Sequence, residues 1–176
     1  MDSLLLTSLF AAAIVLSFVL KTWLAMRQMR HVAAHRDAVP AAFAGTVSLQ
    51  AHHKAADYTL ARGRFGLISL AFGTAVLLAW TLLGGLDALN GWGRDAVQPR
   101  FGSMAYQLAL LGAVAAIGSV VEMPLDAWNT FRIEQRFGFN RMTWKLYLQD
   151  ALKSALVGAL IGLPLAALVL WIMGAA

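Results

Sequence analysis

The sequence predicts an all-α integral membrane protein: one domain over residues 1–176, a bundle of four transmembrane helices with helical cytoplasmic loops. Composition is the first observation behind that fold class. The chain is 60% hydrophobic and 13% charged, with mean hydropathy +0.67, against about 45–50% and about 25% for a soluble domain. A compact soluble domain of this size cannot bury so much apolar surface. Second, the apolar excess sits in four charge-free blocks of 18 to 23 residues: Ser3–Leu20, Phe65–Leu86, Phe101–Val121 and Ser154–Ala176. About 20 apolar residues at 1.5 Å rise cross a hydrocarbon core of roughly 30 Å. Third, the segments 21–64 and 122–153 hold twelve of the fourteen basic residues. Span parity puts both on one side, and the positive-inside rule makes that side the cytoplasm, with both termini outside.

Each element follows in order. The first span covers about 3–25. Its leading flank, Met1-Asp2-Ser3, carries no Lys or Arg, while Lys21, Arg27 and Arg30 follow it. A secretory signal has the reverse arrangement, so the flanks predict an uncleaved span. Pro40 and Gly45 break the next segment, and Ser48 reads as the N-cap of a helix through Leu49, Ala56 and Leu60 into a second span at about 65–86. Asp87–Arg100 reads as a turn-rich external loop, from Asn90-Gly91, Gly93 and Gln98-Pro99. The third span covers about 101–121, and Pro124 is expected to break its helix as it leaves the bilayer. The fourth covers about 154–174, bent by Pro164. Within it, Gly158 and Gly162 form a GxxxG that lets another helix approach; packing inside its own bundle outweighs homodimerisation. Trp23, Trp80, Trp92, Trp128 and Trp144 fall near span ends or in loops, as interfacial anchors do.

Several function classes are disfavoured on the same grounds. The net charge of +5 lies in loops, where orientation explains it, so no nucleic-acid partner is expected. Zero cysteines exclude disulfides and thiolate zinc sites. None of the four blocks contains a charge, which argues against a self-sufficient ion or proton pathway. His31 and His35 have the i, i+4 spacing of a helical zinc motif, but Val32 stands where the general-base Glu is required. His52 and His53 are adjacent and point to different helix faces. The residues therefore yield no catalytic group, no metal site and no cofactor in this chain; the partner they indicate is a lipid bilayer.

The informative stretch follows the third span: Pro124, then Trp128, Thr130-Phe131, Ile133-Glu134, Gly138-Phe139-Asn140, Thr143, Asp150 and Lys153. Phe137-Gly138-Phe139-Asn140 reads as a turn, with Gly138 free to take positive φ and two exposed aromatic rings that need a surface. Glu134 is expected to pair with Arg132, Arg136 or Arg141 rather than to act in catalysis. This pattern resembles the amino-terminal membrane domain of the type I CAAX prenyl proteases, integral-membrane zinc endopeptidases. The segment Ala55-Ala56-Asp57-Tyr58-Thr59-Leu60-Ala61-Arg62 is similar to the family helix before its second span.

The resemblance implies a non-catalytic membrane portion of such a protease. In complete members zinc is held by the two His of HExxH and a downstream Glu, and none of these has a counterpart here. The family's fifth span is also missing from the sequence, which implies the front of a protease by truncation, frameshift or incomplete gene model. The missing catalytic half is then the implied partner, docking on Glu134–Asn140. Alanine richness and positive-inside charge fit a bacterial plasma membrane. The alternative is a small non-enzymatic membrane scaffold or subunit that keeps the fold.

Overall fold

The computed structural model describes residues 3–175; Met1 and Asp2 of the amino-terminal flank, and Ala176, lie outside them. The described residues are helical and contain no strand. Helix α1 runs Ser3–Ala34, and a short 3-10 turn, Ala41–Phe43, follows Pro40. Helix α2 runs Leu49–Thr81 without a break. Ser48 caps it: its Oγ accepts from the Ala51 amide at 3.2 Å, so one otherwise orphaned donor is satisfied. Helix α3 covers Gly85–Ala96 and α4 covers Gln98–Trp128. A π-helical stretch, Asn129–Glu134, leads into one turn of α5, Gln135–Phe137, and α6 covers Trp144–Ala175.

Four of these stretches are long and apolar enough to cross a membrane: Leu4–Ala34, Leu49–Thr81, Gln98–Phe137 and Trp144–Gly174. They run well past the apolar blocks because their polar ends continue as helix. Burial is inverted relative to a soluble protein. The buried hydrophobic residues among those described are Ile14, Ala56 and Tyr106, while Leu4 and Leu160 are 82% and 76% exposed. Side chains this apolar are stable outward only against hydrocarbon.

The chain forms two compact units. One comprises Met1–Leu78 with Trp128–Phe139; the other comprises Ala79–Ala127 with Asn140–Ala176. In the first, α1 and α2 touch where Gly63 faces the Met29 side chain. In the second, the Tyr147 hydroxyl donates to the Met123 carbonyl at 3.3 Å, tying α6 to α4.

Three expectations are corrected. The second apolar block runs to Leu86, but α2 ends at Thr81, and Gly84 at φ +80° precedes a new helix. The segment expected as an external loop is instead the amphipathic helix α3. Its glycines answer to packing rather than turning: Gly93 is buried, and a Cβ there would lie 3.2 Å from the Tyr106 ring. The same ring's hydroxyl donates to the Asn90 side-chain oxygen, so Asn90 and Gly93, one turn apart, both serve Tyr106. Finally, Pro124 lies inside α4 and does not end it. A proline removes one backbone donor, and a helix anchored on both sides carries that loss. The interruption of α4 lies earlier, at Gly102, whose φ of 83° and ψ of 175° are not helical. Pro164 likewise lies within a continuous α6.

The signature segment as a candidate docking site

Between Trp128 and Trp144 the chain passes from helix through a π turn, a capped end and a loop into the next helix. In the π turn the backbone bonds to the fifth residue along, which widens it by one residue per turn. Residues five apart then share a face. Asn129 and Glu134 show this directly, with Asn129 Nδ2 donating to Glu134 Oε1 at 3.3 Å. That corrects the expected partner: Glu134 faces an amide inside the π turn, and no ion pair to Arg132, Arg136 or Arg141 forms among the described residues. Thr130 and Phe131 are half-buried in the same turn.

The helix then ends on a Schellman pair of bonds. The Phe139 amide donates to the Glu134 carbonyl at 2.9 Å and the Gly138 amide to the Gln135 carbonyl at 3.1 Å. This closure requires a left-handed residue at position 138, and Gly138 has φ +79° and ψ +17°. Beyond it, Asn140 Oδ1 accepts from the Met142 amide at 2.6 Å, an Asx turn. Thr143 Oγ1 accepts from the Leu146 amide at 3.3 Å and caps α6. Gly138, Asn140 and Thr143 therefore each settle a backbone conformation. Asp150 is half-buried and Lys153 exposed on the first turns of α6.

The two rings of the turn meet α2. Tyr58 lies 5.3 Å from Phe137, edge to face, and 4.7 Å from Phe139, centroid to centroid. Such pairs add about 0.5–1.5 kcal/mol beyond area burial. Each ring also carries a cation: Lys54 Nζ is 5.5 Å from Phe139, Arg136 lies 5.7 Å from Phe137, and Arg62 lies 6.0 Å from Tyr58. Arg62 donates to the Tyr58 hydroxyl at 3.1 Å as well. Phe137 is thereby half-buried, but Phe139 remains 58% exposed.

A polar clasp between the ends of α1 and α2 positions Tyr58. Arg36 grips Asp57 with both arms of its fork, Nε to Oδ1 at 2.8 Å and Nη2 to Oδ2 at 3.0 Å. Its Nη1 also reaches Asp37 Oδ1 at 3.2 Å, and His53 Nε2 approaches the same oxygen at 3.2 Å. Donating to the Asp57 carboxylate raises the Arg36 pKa further above its ordinary value, so this guanidinium stays charged. His52 Nε2 lies 3.0 Å from the His35 carbonyl oxygen. In the sequence Asp57 and Tyr58 read only as part of a helix, because their partners Arg36 and Phe139 are 21 and 81 positions away.

The remaining site residues do not gather. Gly158 and Gly162 have no atom within 4 Å of where a Cβ would stand, so among the described residues no helix sits in that groove. The His31 and His35 rings stack 4.2 Å apart, and His35 Nδ1 faces the His31 carbonyl oxygen. No group of three or more His, Cys, Asp or Glu among the described residues could hold a metal ion. The described residues do not fit a zinc centre.

The family profile described as "CAAX prenyl protease N-terminal, five membrane helices" matches residues 28–176. The chain belongs to this family. It is similar to the "CAAX prenyl protease 1 homolog" of Mus musculus, 29% identical over 178 residues, covering 94% of this chain and 36% of that protein. The homolog of Arabidopsis thaliana is 24% identical over 164 residues, covering 90% and 38%. The crystal structure of S. mikatae Ste24p superposes with a TM-score of 0.85 at 24% identity, covering 93% of this chain and 38% of that one, and shows the shared fold. The chain thus spans between about a third and two fifths of the length of the relatives it matches, at their amino-terminal, membrane-helix end.

Proposed function

We propose that this chain is the non-catalytic membrane portion of a CAAX prenyl protease-like zinc metalloendopeptidase, and that residues Glu134–Asn140 dock the catalytic part. The observation that carries the reading is the signature turn itself. The left-handed closure at Gly138 and the Asx turn at Asn140 fix the backbone there, yet Phe139 is left 58% exposed beside Lys54. A turn held this firmly, with an aromatic ring offered outward, suits recognition better than chemistry. Glu134 faces Asn129 within the same helical turn, an environment that serves structure. Truncating or burying a ring of this size against a partner changes association by roughly 1.5–3 kcal/mol.

In the same reading, residues 21–64 and 122–153 face the cytoplasm and both termini lie outside, which the distribution of Lys and Arg supports. Alanine richness supports a bacterial plasma membrane as its location, although the relatives reported above are eukaryotic. The test is metal analysis and a peptidase assay on the detergent-purified chain. No tightly held zinc and no hydrolysis are expected. One zinc per chain, lost on His31→Ala, would overturn the proposal.

A further inference from the structure

Within the first unit, α1 and α2 leave an open groove of about 450 Å³ along the apolar part of both helices. Phe10, Ile14 and Phe18 from α1 and Leu70 and Leu77 from α2 wall it, and Gly73 hollows it. A Cβ at Gly73 would meet nothing within 4 Å, so the space there is open. At one end stands Lys21, the first charged residue after the block Ser3–Leu20 and the one charged side chain in the lining. We infer that this groove binds one acyl chain of an anionic phospholipid, with the headgroup phosphate on Lys21.

Length, polarity and charge support this occupant together. From Phe10 to Lys21 is eleven helical steps, roughly 16 Å at 1.5 Å each. That matches one leaflet, half of a hydrocarbon core of roughly 30 Å. The volume falls in the ~300–1,000 Å³ range of small-molecule sites. Lys21 has no carboxylate within 4 Å among the described residues, so a phosphate meets an uncompensated ammonium. Ser17, one turn deeper in the groove, places a hydroxyl where the glycerol ester begins. A neutral headgroup fills the same slot but makes no net charge pairing.

Native mass spectrometry of the 176-residue chain, released from nanodiscs of equal phosphatidylglycerol and phosphatidylcholine, tests the inference. One phosphatidylglycerol should be retained in about tenfold preference, the scale of one charge-assisted contact. Lys21→Gln should bring the two lipids to parity, and Lys21→Arg should keep the preference. Ala13→Leu and Gly73→Leu fill the slot from opposite walls, and each should lower retention of both lipids. Equal retention by the unaltered chain, or an intact preference in Lys21→Gln, would overturn the headgroup assignment. Unchanged retention in both leucine variants, or complete displacement of the lipid by soluble glycerol 3-phosphate, would overturn the acyl-chain assignment.

Discussion

Replacing Gly138 isolates the backbone demand of the signature turn from its side-chain contacts. The native φ of +79° is left-handed, where an L side chain costs about 1–2 kcal/mol and a β-branched one more. Two further losses follow if the turn unwinds: the 2.9 Å bond from the Phe139 amide, and the Phe139–Tyr58 ring pair worth about 0.5–1.5 kcal/mol. Gly138→Val should therefore cost about 2–3 kcal/mol of local stability, Gly138→Ala about 1–2, and Gly138→Asn less, because Asn tolerates this region. Trypsin reads the opening directly, since Arg136 and Arg141 flank the turn. When reclosure is faster than cleavage, about 2 kcal/mol corresponds to roughly thirtyfold faster cutting. The order Val > Ala > Asn in cleavage rate is the expected outcome. An Asn variant cut as fast as Val, or a Val variant cut at the unaltered rate, would refute a conformational role for this glycine.

Other outcomes follow from the same geometry. Ser48→Ala removes the Oγ acceptor at the start of α2 and should cost about 1 kcal/mol, seen as roughly fivefold faster hydrogen exchange at Leu49–His52. Asp57→Asn breaks the two-armed grip of Arg36, and exchange in α2 near Tyr58 should rise by an amount that shrinks as salt is added. Gly93→Leu drives a side chain into the Tyr106 ring, and exchange throughout α3 should rise while α6 is unaffected. A reporter fused after residue 176 should be active only outside the cytoplasm; cytoplasmic activity would reverse the proposed topology.

Much of the fold was legible because membrane spans are written in composition. Four charge-free blocks correspond to four long helices, and Ser48 marked the start of α2 three residues ahead of the donor it caps. Gly138 was legible too, since a glycine between two aromatic residues has few other uses. What failed was local punctuation with two meanings. Asn90, Gly91 and Gly93 signal turns in isolation, but here Asn90 and Gly93 accommodate the Tyr106 ring inside a helix. Pro124 signals an ending, but neighbouring turns carry its missing bond. The π turn at Asn129–Glu134 has no compositional signature, so the sequence hides the Asn129–Glu134 pairing and offers nearby arginines as partners. The Tyr58 clip on Phe137 and Phe139 joins residues some eighty positions apart, beyond any periodicity in the chain.

The docking role of the signature turn is the central claim, and a photoreactive benzoylphenylalanine at Phe139 tests it most directly. The chain bearing it would be co-expressed in membranes with the part of the Mus musculus relative that lies beyond its matched 36%. Irradiation should yield a crosslink to that portion, weakened by Gly138→Val, with no crosslink from the same probe at Leu160, 76% exposed in the apolar part of α6. Crosslinks to lipid alone from position 139, or equal capture from both positions, would contradict the account.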